Sequence, residues 1–247
     1  MNDTSHLFRF IQERHGDVRL VPGIDLDAYP AINHVTLGLH EITDAAADYP
    51  LIFMKDGDSG QFRLTALFGL TPGTNAYLDG DFWQAVYLPQ EVLTAPFRIA
   101  GPDQALCINE ASALVTTDTG DVLFDDDGNE APALLRIRNM LDKLEQGRKD
   151  ANELIAVLLP LGLVRPVSVT VNLESGPSEL VQGLYSVSPL QLKAAAPDVL
   201  LDLHARDFLA PIYTIIQSMT QFNRIRQLNN LRSKGQIASF DLVMEQG

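Results

Sequence analysis

One cysteine, one tryptophan and five histidines among 247 residues leave little of the usual material of catalysis. A lone Cys107 forms no intramolecular disulfide, which suits a reducing compartment, and its Ala-Leu-Cys-Ile-Asn context reads as a small buried hydrophobe. The histidines fall into no ligand or triad spacing. There is no paired-cysteine motif, no His-x-x-x-His, no Gly-rich phosphate loop and no nucleophile elbow. The sequence therefore implies no metal and no cofactor. The longest apolar run, Leu154–Leu159, is far below the ~18 residues that span a bilayer. The N-terminus lacks the basic and apolar stretches of a secretory signal, so the chain reads as soluble and cytoplasmic. Positive charge is scarce as well. Eighteen basic against thirty-two acidic residues give a net charge of −14, which repels nucleic-acid phosphates and anionic lipid over a Debye length of about 8 Å. Arg224, Arg226, Arg232 and Lys234 are a local exception, but no aromatic lies among them to stack on bases. They read as cations at a helix C-terminus, not as a nucleic-acid site.

What is present is a well-patterned globular sequence, 46% hydrophobic and 20% charged, long enough to bury a core without disulfides. Leu51–Lys55 and Phe62–Phe68 flank the turn residues Asp56 to Gly60 and predict a hairpin. Asn75–Leu78, Phe97–Ala100 and Leu106–Asn109 read as further strands. Ile42–Ala47 reads as a short helix capped by Thr43, and Pro89 opens another. From Ala133 to Leu159 apolar residues recur at a period close to 3.6 between Pro132 and Pro160, which predicts one long helix. Gly147 is its weak point, at a cost of about 1 kcal/mol relative to alanine. Val167–Val171 and Leu180–Val187 predict a second hairpin, and the last fifty residues read as helical. The expected fold is α+β: antiparallel hairpins in the N-terminal half, packed with a long central helix and C-terminal helices. The chain reads as one domain over 1–247, with a join at Asp125–Glu130 between a β-rich part (1–125) and an α+β part (126–247).

Gly57-Asp58-Ser59-Gly60 matches the short run around the nucleophile of trypsin-like proteases, but turn chemistry explains it better. The acidic run at Asp125–Glu130 fails the EF-hand register, which would place Leu123 where an oxygen ligand is required. It reads as a solvated turn. His34 and His40 are spaced for neither a helical nor a strand metal pair. His204 reads as a half-buried helical histidine, and Trp83 as a core residue before it is a pocket wall.

Several stretches in order resemble the bacterial SapC family: Tyr49-Pro50 with Phe53-Met54-Lys55, Leu67 to Leu70, Gly73 to Tyr77, Trp83 to Pro89, Leu106 to Asn109, Leu123 to Gly128, Gly183 to Val187, and Leu203-His204. The resemblance runs from about residue 20 to 230, with a departure at Asn109-Glu110-Ala111-Ser112. It implies a protein associated by name with surface layers, encoded near outer-membrane receptors and flavin-dependent halogenase-like proteins. It carries over no catalytic residue.

These observations predict a binding or accessory protein whose partner is a peptide, a protein segment or a product of its own locus, with the Phe62–Phe68 edge open to an added strand. The rival expectation is an enzyme with a dispersed site, drawn from Lys55, Tyr185 and His204 as catalytic candidates and Asn75 and Trp83 as ligand contacts. Lys55 enters because desolvation in an apolar strand lowers an amine's pKa. A homodimer through the C-terminal helix is expected from its apolar stripe, which continues to Leu228 and Leu231 beside basic residues.

Overall fold

The long helix organises the molecule. In the computed structural model, which describes residues 6–57, 59–101, 103–232 and 236–245, it runs from Pro132 to Leu158, about 40 Å at 1.5 Å per residue. Pro132 sits in its first turn, where a missing N–H costs nothing. Beyond its end, Gly162 takes the left-handed conformation at φ +65°. One stripe along it is buried from Ala133 to Leu158, as the periodicity predicts.

That stripe serves two separate cores. Ala133, Leu134, Ile137 and Leu141 pack with Phe10, Phe97, Leu106, Ile108 and Leu123 in the smaller one. It is floored by an antiparallel sheet in which Ala105–Asn109 lies between Leu7–Arg9 and Phe97–Ala100. Ala151, Leu154, Ile155 and Leu158 belong to the larger core, built on a six-stranded antiparallel sheet. Its strand order is Ile237–Met244, Val164–Leu173, Glu179–Val187, Leu51–Lys55, Phe62–Leu67 and His34–Thr36. Three strands come from before residue 125 and three from after it. The fold is α+β with both expected hairpins in place.

Between the two cores the helix crosses the turn at Gly38, and here Gly147 is required rather than merely tolerated. A Cβ on Gly147 would stand 2.8 Å from the Gly38 Cα and 2.2 Å from His40 Nδ1. Close backbone approach outweighs helix propensity at this residue.

Four local expectations are corrected. Phe62–Leu67 is not an edge, because it pairs with Leu51–Lys55 on one side and His34–Thr36 on the other. No strand can be added there, and the long free edge is Ile237–Met244. That strand also corrects the helical reading of the last fifty residues; Phe240, Leu242 and Met244 alternate as a strand requires. The C-terminal helical path is interrupted, as Leu209–Ser218, a 3-10 turn Met219–Gln221, and Phe222–Arg232. At the break the buried Ser218 hydroxyl donates to Ile215 O (2.7 Å) and accepts from Leu51 N–H (2.9 Å). Thr43 caps nothing. The helix Ile42–Ala45 follows a 3-10 turn Leu39–Glu41, whose buried Glu41 carboxylate accepts from Gly38 N–H at 2.8 Å.

The end of the last helix is engaged within its own chain. Arg224, Arg226 and Arg232 donate to the carbonyls of Gln84, Ala238 and Leu78, while Lys234 lies outside the described residues. Leu228 is buried and Leu231 is 80% exposed. Near the N-terminus, Glu110 binds Arg14 (2.7 Å) and the buried His15 (2.9 Å), which stacks on Phe10. Desolvation pushes the Glu110 pKa up, but the hydrogen bonds from Arg14 and His15 outweigh it and hold the carboxyl below its ordinary value.

Two outcomes follow. Gly147→Ala should lower stability by up to about 2 kcal/mol in chemical denaturation, because an overpacking cost of roughly 1–3 kcal/mol against the Gly38 backbone outweighs the propensity gain of about 1 kcal/mol. A Gly147→Ala protein at least as stable as the wild type would show that the crossing relaxes freely. Since the folded Glu110 pKa is depressed, its contribution is complete above the unfolded carboxyl value, near 4.5, and is lost as pH falls through the folded value. Thermal melts should place Glu110→Gln below wild type at pH 7, with the gap closing as the pH is taken below that range.

Candidate functional site

Where one helix spans two cores, a seam is left beside it, and the seam holds a cavity of about 720 Å³. That is within the range of small-molecule and peptide-end sites, which favour such junctions. One wall is the helix from Leu141 to Asn152, and another is the strand Phe97–Ala100. Much of the remainder comes from the segment Asp25–Leu37, the helix Gln90–Thr94 and the strand Phe62–Leu67. Leu37, Leu64, Phe97, Leu141 and Leu144 supply apolar surface. Against it stand Arg63, Arg98, Arg148 and the exposed Lys149, with Asp25, Glu91 and Glu145. In a chain of net charge −14 this is a local concentration of guanidinium.

The charges fall into two groups. Arg148 is committed to the protein through both of its terminal nitrogens, while its buried Nε has no acceptor. Its Nη2 bonds Thr36 Oγ1 (2.5 Å) and Glu91 Oε2, its Nη1 bonds Glu145 Oε1 (2.6 Å), and Thr36 donates to Glu91 at 2.7 Å. Helix, edge strand and the Gln90–Thr94 helix are thereby clamped at one point. Arg63 donates to Asn152 Oδ1 at 3.3 Å. Arg98 and Asp25 are different. Among the described residues Arg98 makes no hydrogen bond or ion pair, and its Nε is buried without an acceptor. The Asp25 side chain likewise has no hydrogen-bond partner, although the residue is only 5% exposed.

Tyr29 lies between these groups. Its hydroxyl donates to Glu91 O at 3.1 Å. Burial, then the negative charges of Glu91 and Asp25, raise its pKa far above the ordinary phenol value, and Arg98 opposes them. It remains a neutral phenol. His34, half-buried near Glu91, is pushed below its ordinary pKa by burial, with Glu91 opposing.

None of the five side chains expected from sequence lines this cavity. Asn75 is structural, donating to Tyr29 O and accepting from Tyr77 N–H. Taking up that N–H delays the strand to Leu78–Asp79, a correction to the expected 75–78. Trp83 donates to Tyr49 Oη at 2.7 Å and packs edge-on against Phe68 and Tyr29, so core packing is its role here. Lys55 is exposed rather than desolvated, with its ammonium over the Phe62 and Tyr185 rings at 5.3 and 5.5 Å. His204 is exposed on the helix Pro197–Ala205, a correction to the half-buried expectation. The structure brings Lys55 to Tyr185, and Asn75 and Trp83 to Tyr29, but it does not bring all five together. The Ser59 hydroxyl donates to Asp56 within a hairpin turn, as turn chemistry predicts; Asp58 lies outside the described residues. Among the described residues no group of three or more His, Cys, Asp or Glu side chains is arranged to hold a metal, and no helix is long and apolar enough to cross a membrane.

Sequence reasoning passed over Asp25, Arg98 and Arg148 because they share no local motif. The available signal was charge on otherwise apolar elements, such as Arg98 within Phe97-Arg98-Ile99.

Replacing Arg148 should test the clamp. Arg148→Ala leaves the half-buried Glu145 without its donor and Glu91 with only the Thr36 hydroxyl, and charge-assisted hydrogen bonds contribute about 1.5–3 kcal/mol each. A stability loss of about 2 kcal/mol or more is expected in denaturant titration, with Arg148→Lys recovering only part because an ammonium lacks the planar fork. Full recovery by lysine would contradict the geometry.

A family model described as SapC matches residues 11–225 of the 247. No curated protein matches the chain, and no solved structure does.

Proposed function

The chain belongs to the SapC family, and from that premise we propose that it is a binding or accessory protein whose cavity receives the carboxylate of a small acid or of a peptide or protein segment. The observation that carries this reading is Arg98. Among the described residues, eleven of the thirteen arginines donate to carbonyls, amides or carboxylates, the exceptions being Arg98 and Arg165. Of those two, only Arg98 lines the cavity. A guanidinium kept partly out of water without a carboxylate partner is costly to hold, and an arriving anion offsets that cost. Apolar walls around a few convergent polar groups are the usual make-up of a recognition site.

The enzyme reading draws no support from the placement of Lys55, Tyr185 and His204, which lie apart from the cavity and from one another except for the Lys55–Tyr185 contact.

Trp83, the only tryptophan, packs against Tyr29 of the cavity wall and so reports on occupancy by its emission. Titration with a panel of free carboxylic acids and short peptides bearing free C-termini should give saturable binding. Arg98→Gln should weaken it about tenfold or more, the loss of one charge-assisted contact. Absence of binding by every member, or unchanged binding by Arg98→Gln, would overturn the reading.

A further inference from the structure

We infer that the ligand is a zwitterion, an α-amino acid or a short peptide with a free ammonium and a free carboxylate, and that Asp25 receives the ammonium while Arg98 receives the carboxylate. The inference rests on the reading of the cavity as a carboxylate site and adds the second charge.

Asp25 is 5% exposed, it lines the cavity, and its side chain accepts no hydrogen bond from any described residue. Buried carboxylates are ordinarily paired or given backbone donors. This chain does so elsewhere. The equally buried Glu41 accepts from Gly38 N–H, Gln90 N–H and the Tyr87 hydroxyl. Asp48 accepts from Val86 and Tyr87 N–H.

A cationic partner for Asp25 is present in the same cavity but is not used. Arg98 and Asp25 both act on the Tyr29 phenol, with opposite sign, yet no ion pair joins them within 4.0 Å. Each is held by a different element. Asp25 precedes the 3-10 turn Leu26–Ala28 and its carbonyl accepts from Ala28 N–H. Arg98 is fixed on its strand, opposite Cys107 in the register of the hairpin. The other cavity carboxylates, Glu91 and Glu145, are already taken by Arg148. One free acid and one free guanidinium, lining the same cavity as Tyr29 and held apart, match a ligand that carries both charges. The apolar residues Leu37, Phe97 and Leu144 leave room for its side chain or second residue.

The test compares three ligands of one shape by Trp83 emission and calorimetry: glycyl-L-phenylalanine, its desamino analogue acetyl-L-phenylalanine, and glycyl-L-phenylalaninamide. L-phenylalanine, 3-phenylpropionate and phenylalaninamide form a parallel set for the single amino acid. Wild type should bind the zwitterion of at least one set about tenfold or more tighter than either singly charged analogue. Asp25→Asn should abolish the preference over the desamino acid, and Arg98→Gln the preference over the amide, with thermal melts confirming that both variants fold. If desamino acid and zwitterion bind equally, both depend on Arg98, and Asp25→Asn changes nothing, the zwitterion inference fails while the carboxylate reading stands. If no compound binds, both fail.

Discussion

The crossing of the long helix over Gly38 is the contact on which the remaining arrangement depends. A single helix supplies one buried stripe to two cores, and the two can share it only if the backbone of the intervening turn comes against the helix. Gly147 permits that approach, with no room for a Cβ above Gly38. Helix propensity argues against glycine in the middle of a 27-residue helix. Packing decides otherwise, because the local preference is about 1 kcal/mol and the clash it would create is with backbone that cannot rotate away.

The crossing also determines where the cavity lies. Helix residues on the far side of Gly147 serve one core and those before it serve the other, so the volume between the two sheets is closed by the helix flank and not by a continuous hydrophobic layer. Arg148, the residue next to Gly147, turns this flank into a clamp. It ties the strand His34–Thr36 and the helix Gln90–Thr94 to the long helix through Thr36 and Glu91. With Glu91 and Glu145 held by Arg148 and Arg63 bonded to Asn152, the cavity charges that have no hydrogen bond or ion pair among the described residues are Arg98, Asp25 and the exposed Lys149. In the proposed reading, stability and recognition use different arginines in the same cavity: Arg148 for cohesion, Arg98 for a ligand.

Elements with strong local signals were legible in the sequence. The long helix is framed by Pro132 and Pro160 and carries its stripe at the helical period. The 51–67 hairpin is marked by a run of turn residues, and the 164–187 hairpin by alternation. The element that went unread, Ile237–Met244, is an edge strand with one face in solvent, so its alternation is weak and its existence depends on pairing with Val164–Leu173. The edge assigned to Phe62–Phe68 failed for a related reason. Whether a strand is internal depends on what pairs with its second side, here a three-residue segment nearly thirty positions earlier. Lys55 shows the limit for single residues. Its apolar neighbours in sequence suggested desolvation, but the strand ends there and the ammonium rests over Phe62 and Tyr185 in contact with water.

By itself the sequence determined the α+β class, the long helix, the two hairpins, the lack of a local catalytic or metal motif and the family, because each depends on short-range pattern or on an ordered set of short matches. Only the tertiary structure decided which strands are edges, why Gly147 is glycine, and which charges meet. Asp25, Arg98 and Arg148 come from a turn, a strand and a helix with no fixed spacing between them. Whether a charge is paired depends on distances across the fold, which no periodicity in the chain encodes.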